Sequence, residues 1–156
     1  MEAATLLDFL VGEWTGEGRG EYPTIEPFVY AETVTFTATG KPFLRYEQRT
    51  ADPATGAPMH TEVGYLRPVG AGRVELVLVQ PTGVAELHEG TLQASDGVHR
   101  LRLATTTTAT TPTAKRVDAI ERDLDVTDDE LSYALRMAAV GVPMTHHLDA
   151  VLHRVG

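Results

Sequence analysis

Cysteine is absent from the 156 residues, which removes disulfides, thiolate metal sites and iron–sulfur clusters from consideration. Any metal must then sit on histidine, carboxylate or tyrosine. Cationic residues are scarce: 13 Lys plus Arg stand against 22 Asp plus Glu, a formal net charge of −9. Nucleic-acid binding runs on basic surface, so a polyanion partner is excluded; the acidic surface serves solubility and slows the approach of small anions. No stretch nears the ~20 apolar residues of a membrane span, and the opening MEAATLLDFLVGEW lacks the charged n-region and length of a signal peptide. The expectation is a soluble, cytoplasmic protein with neither nucleic-acid nor membrane partners. Helical spacing is nearly missing as well. Only Leu6, Leu7, Phe9 and Leu10 show it, over one or two turns, so the crossover helices of a parallel sheet are not available. No charge block, linker or internal repeat divides the chain, and residues 1–156 read as one domain.

What is present, from one end to the other, is strand signal. Ten segments carry it: 12–21, 28–39, 42–50, 59–68, 73–80, 83–93, 99–110, 114–127, 130–141 and 145–155. Many alternate with period two, as in Phe28, Tyr30, Val34 and Phe36, or Leu131, Tyr133, Leu135 and Met137, the mark of a strand with one buried face. The threonine run Thr105–Thr108 reads as part of such a strand. The breaks hold turn residues: Gly40-Lys41-Pro42, Asp52-Pro53 with Gly56, Gly70-Ala71-Gly72, Pro81-Thr82-Gly83, Asp96-Gly97, Asp128-Asp129 and Gly141 with Pro143. Connections this short make hairpins between neighbours. Closing such a meander into an antiparallel up-and-down β-barrel removes both exposed edges. The predicted fold is therefore an all-β closed barrel of about ten strands with a short N-terminal helical turn. A two-sheet sandwich is the alternative. The distinction matters, because a barrel of this size has room for one small ligand whereas a sandwich core is solid.

The first strand is the most unusual: Gly12, Trp14, Gly16, Gly18, Gly20, Tyr22 and Pro23 recur at every second position or close to it. Glycine in alternation strips one strand face of side chains, so that another backbone, a sharp bend or a flat ligand comes close. Strong bending with Trp14 plugging the barrel floor is the purely structural explanation. The spacing Gly-x-Trp-x-Gly-x-Gly-x-Gly-x-Tyr-Pro, followed by Thr24-Ile25-Glu26-Pro27-Phe28, resembles the signature of the nitrobindins, haem-binding barrels related in shape to fatty-acid-binding proteins and lipocalins. The likeness continues through Gly40-Lys41-Pro42-Phe43-Leu44, Pro58-Met59-His60, Gln80-Pro81-Thr82-Gly83 and the stretch from Met137 to Pro143, and reaches Thr145-His146-His147-Leu148.

That resemblance implies one ferric haem b per chain, held by a single proximal histidine on the last strand. It implies reversible nitric oxide binding and isomerisation of peroxynitrite to nitrate. The family register places the axial ligand at His147. Strand parity alone points elsewhere. Neighbouring residues face opposite ways, and His146 shares its parity with Leu148, Ala150 and Leu152, while His147 goes with Asp149, Val151 and His153. A bulge near Pro143, or a wall packed on both faces, would reconcile the two; His146 stays as the second candidate. A neutral imidazole whose other nitrogen donates to a carbonyl, carboxylate or water is the usual protein donor to haem iron. His60, His88, His99 and His153 show no paired zinc-type spacing and read as surface residues. Thr24 and Lys115 are candidates for the pocket mouth or a haem propionate, Lys115 because a carboxylate is best met by an ammonium. Met137 and Phe43 read as wall residues. No catalytic carboxylate pair or nucleophile triad stands out, so no protein residue is assigned as catalytic.

Two rival functions share the fold: a metal-free carrier of a fatty-acid-like or other small apolar ligand, and a haem-based nitric oxide sensor or store. Carriage does not require a C-terminal histidine. The expected partners are small molecules, peroxynitrite and nitric oxide, with a homodimer left open.

Overall fold

The computed structural model describes residues 3–156, and its strands close into one antiparallel barrel. A 3₁₀ segment, Ala3–Leu10, leads into β1 (Gly12–Tyr22), β2 (Ile25–Ala38), β3 (Leu44–Ala51), β4 (Pro58–Pro68) and β5 (Arg73–Gln80). Then come β6 (Val84–Ser95), β7 (Val98–Thr110), β8 (Val117–Val126), β9 (Glu130–Ala139) and β10 (Val142–Arg154). Each strand pairs with its sequence neighbour and β1 closes on β10, so no sheet edge is left unpaired and the sandwich alternative falls.

The period-two patterns are the inside of this barrel. On β2, Tyr30, Val34 and Phe36 are buried; on β9, Leu131 and Leu135 are buried, with Tyr133 packed against the same core. The 3₁₀ segment closes one end. Leu7 and Leu10 are fully buried, and the Trp14 indole N–H donates to the Leu10 carbonyl at 2.9 Å. Arg154 lies 4.1 Å over the Trp14 ring and donates to the carbonyls of Phe9 and Val11. A cation on an aromatic face, with its donors spent on otherwise unpaired carbonyls, clamps the segment to the barrel floor.

The glycine row of β1 faces inward, and its cause is cross-strand crowding. Gly18 sits opposite Tyr30 and Gly20 opposite Phe28. A β-carbon at Gly18 would meet the Tyr30 ring at 2.4 Å, and one at Gly20 the Phe28 ring at 2.2 Å. Two aromatic rings thus lie flat across the bare backbone of the neighbouring strand, a packing that only glycine admits.

Candidate functional site

The barrel encloses a cavity of about 370 Å³. One end of it is framed by Ile25, Phe28, Met59, His60, Met137, His147 and Leu148; Val34, Phe36, Leu66, Leu76, Leu101 and Leu131 line it farther in.

His147 reaches this cavity because β10 is irregular at that residue. His146 pairs with Arg136 and Leu148 with Leu135, so the ladder skips His147. The extra residue of a bulge shifts the parity of the residues after it, and His147 and Leu148 both line the cavity. The alternation argument that favoured His146 fails for this reason. The His146 ring instead meets the Asp149 carboxylate at 2.8 Å and borders an outer groove with Arg19 and Val29.

A second irregularity faces the first. The β1–β2 register shifts between Gly20 and Tyr22, taking Glu21 out of that ladder, and the Glu21 carbonyl accepts from His147 Nδ1 at 2.9 Å. A carbonyl oxygen only accepts, so Nδ1 carries the proton and Nε2 of the neutral ring is the free acceptor nitrogen. Tyr22 braces the ring edge-on at 5.2 Å. Its own hydroxyl donates to the Met137 carbonyl and accepts from the Ala139 N–H. Burial pushes the His147 pKa below its ordinary 6.5, against the Glu21 hydrogen bond, and His146 and His60 lower it further. A neutral, oriented imidazole beside an apolar cavity is what a metal-bearing macrocycle needs from a protein, and the flanking walls, Phe28, Leu148 and Met137, suit a flat apolar group.

The sequence reading missed a second feature, a charged layer inside the barrel. Glu32, Glu62, Glu86 and Arg122 are all buried. Arg122 spends its guanidinium on two carboxylates, with Nη1 on Glu62 at 2.7 Å and Nη2 on Glu86 at 3.0 Å. Tyr46 adds a hydrogen bond to Glu62, and His88 one to Glu86. A directional chain ends on the third carboxylate: Tyr133 donates to Glu32 at 2.6 Å, which leaves its oxygen to accept from Tyr30 at 2.7 Å. Burial drives Glu32 from 4.5 up to about 7, against the pull of Tyr133, Gln48 and Arg122. Glu62 goes the other way, because Arg122 and His60 outweigh its desolvation and hold it well below the usual carboxylate range.

His60 and His88, expected at the surface, belong inside: His60 lines the cavity and bonds Glu62 at 3.2 Å, and the His88 side chain is fully enclosed. His99 stacks on Phe9 at 3.8 Å, and His153 is exposed. Thr24 lies exposed in the β1–β2 turn, next to Ile25 of the cavity wall. Lys115, expected to open a strand, is exposed in the β7–β8 connection just before β8. Met137 is a wall residue, whereas Phe43 packs outside the cavity beneath Arg67. Among the described residues no group of three or more His, Asp or Glu side chains is placed to hold a bare metal ion. No helix there is long and apolar enough to cross a membrane.

Residues 3–154 match the family described as THAP4-like, heme-binding beta-barrel domain. Peroxynitrite isomerase 2 of Mycobacterium marinum is 54% identical over 145 residues, covering 93% of this chain and 90% of its own length. Peroxynitrite isomerase 1 of Mycobacterium tuberculosis strain H37Rv is 48% identical over 155 residues, covering 97% and 94%. The crystal structure of Rv2717c from M. tuberculosis superposes with a TM-score of 0.97 at 47% identity, over 100% of this chain and 99% of that one. A phycobiliprotein lyase from Guillardia theta shares the fold alone, with a TM-score of 0.66 at 13% identity.

Proposed function

The chain belongs to the THAP4-like, heme-binding beta-barrel family, and on that premise we propose that it is a peroxynitrite isomerase that holds one ferric haem b on His147 and also binds nitric oxide. The observation that carries this reading is the His147 ring itself, with Nδ1 fixed on the Glu21 carbonyl, Nε2 free to ligate and the ring on the cavity wall. When bound, the haem would supply the iron chemistry that converts peroxynitrite to nitrate.

The chain's own residues do the rest. His147 supplies the imidazole, and Glu21 keeps its proton on Nδ1 so that the ring does not switch tautomer. Tyr22 limits ring rotation by packing against its edge. Phe28, Leu148 and Met137 supply apolar walls that keep water from a flat group beside them. His60, on the same cavity, is hydrogen-bonded to Glu62 and so held back as a second ligand. Thr24 and Lys115, both exposed, are read as partners for carboxylates that project from the mouth into water. With no protein acid or base placed as a catalyst, the reading is of a single cytoplasmic domain acting on small molecules.

An ultraviolet–visible titration with hemin tests it, run on the wild type, His147→Ala and His146→Ala. A one-to-one Soret change lost only in His147→Ala, together with faster peroxynitrite decay and a raised nitrate yield in the loaded protein, is the expected result. Loss only in His146→Ala overturns the ligand, and no saturable change in the wild type overturns the haem reading.

A further inference from the structure

Within the cavity, away from His147, the Gln48 amide is buried and oriented by its neighbour. Its Nε2 donates to Glu32 at 2.8 Å, and its Oε1 has no hydrogen-bond partner. An unsatisfied acceptor in a buried site is costly, and its cost disappears when a donor arrives. Gln48 and Glu32 both line the cavity. Glu32 stands four residues along β2 from Phe28, about 13 Å at ~3.3 Å per residue, so this polar spot is a separate place from the His147 end.

The charges around it are unbalanced. Arg122, His60 and His88 are all engaged by Glu62 and Glu86, whereas Glu32, buried beside them, is bonded only by the neutral groups of Tyr133 and Gln48. A carboxylate entering here would find Arg122 taken and Glu32 beside it. A cation would find a free acceptor and a carboxylate. Below the polar spot the walls are Val34, Phe36, Leu66 and Leu101, which suit an alkyl or aryl tail. The whole cavity, its His147 end included, equals about a dozen waters at ~30 Å³ each, which sets an upper bound of about ten heavy atoms on the molecule.

We propose that this inner chamber binds a small apolar molecule with a primary-amine head, the ammonium donating to Gln48 Oε1 beside the Glu32 carboxylate. The broad torsion at the end of a glutamine side chain lets the amide follow the head group. An alcohol of the same length satisfies Gln48 without meeting Glu32 and binds less tightly; a fatty acid of that length is refused. The site is thus the inverse of a carboxylate-binding barrel, although the scaffold is the same.

The test is isothermal titration calorimetry of the haem-free full chain with octylamine, 1-octanol and octanoate at pH 8. Octylamine should bind one-to-one and at least tenfold more tightly than 1-octanol, and octanoate should show no saturable heat. Gln48→Leu and the isosteric Glu32→Gln, each checked for folding by circular dichroism, should each weaken octylamine at least fivefold. Glu32→Gln should change 1-octanol less than twofold. Gln48→Leu should still give the one-to-one Soret change with hemin, which separates this site from the haem reading. Octanoate binding as tightly as octylamine, or no saturable octylamine heat because water alone satisfies Gln48, overturns the proposal. So does octylamine binding that survives both Gln48→Leu and Glu32→Gln, which would mark adsorption to the acidic exterior.

Discussion

The Nδ1 of His147 lies 2.9 Å from the carbonyl oxygen of Glu21, a contact between two residues that each fall at a register shift, one in β10 and one in β1. Because the bonded nitrogen must be the donor, the contact leaves Nε2 as the free acceptor nitrogen.

Hemin binding should follow the protonation of that ring. Burial lowers the His147 pKa below 6.5, and only the neutral imidazole ligates, so affinity should hold through pH 6.5 and fall at lower pH as the ring protonates. Soret titrations in steps from pH 5 to 8 measure this. A midpoint at or above pH 7 would contradict the buried, neutral ring.

Glu32 should make the protein less stable as pH rises. Its folded pKa, about 7, exceeds its ordinary 4.5, so between these values the folded state holds more protons than the unfolded state. Stability from this group is complete below about pH 4.5 and is lost as pH rises through about 7, a difference on the order of 3 kcal/mol at ~1.4 kcal/mol per unit. Urea melts at pH 5.5 and 8 should show the decline, and Glu32→Gln should flatten it. An unchanged slope in that variant would assign the effect elsewhere. Glu62 has the opposite sign: its depressed pKa makes a contribution that is present above about pH 4.5 and lost only in stronger acid.

Arg122→Met should cost about 3–5 kcal/mol at pH 7, because it leaves Glu62 and Glu86 buried without their cation. Combining it with Glu62→Gln and Glu86→Gln should recover much of the loss, since an uncharged layer needs no partner. Chemical denaturation of the single and triple variants decides. A triple variant no more stable than the single would show that the layer's value lies in shape rather than in charge.

Alanine in the glycine row should be graded by what each new methyl meets. At Gly16 every close obstacle is backbone, the Val151 carbonyl oxygen nearest at 2.1 Å, whereas at Gly18 the nearest is the Tyr30 ring at 2.4 Å and the backbone, the Asp149 carbonyl oxygen, stands back at 2.7 Å. A ring can turn and a strand backbone cannot, so Gly18→Ala should cost about 1–3 kcal/mol and Gly16→Ala more. Denaturant midpoints for the pair test the ranking, and a larger loss at Gly18 would refute it.

The polar layer shows how far a linear pattern carries. Glu32 has the same parity as Tyr30 and Val34, so the alternation holds the signal for it, although the sequence reading named only the apolar residues of that face. What alternation lacks is the partner. Arg122 is 60 residues from Glu62 and 36 from Glu86, and no local spacing joins them. His60 and His88 were misplaced at the surface for the same reason, since a buried histidine needs a hydrogen-bond partner, and theirs, Glu62 and Glu86, are found only in the folded barrel.

By itself the sequence determined the strands, their hairpins and the closed barrel, because alternation and turn chemistry act over a few residues and edge closure results from their number. It also determined that one face of one strand must run bare of side chains, through Gly16, Gly18 and Gly20. Tertiary structure alone decided which of two adjacent histidines looks inward. A bulge is a property of the pairing between β10 and β9, not of β10, and one residue skipped in that ladder turns His147 to the cavity and leaves His146 on Asp149.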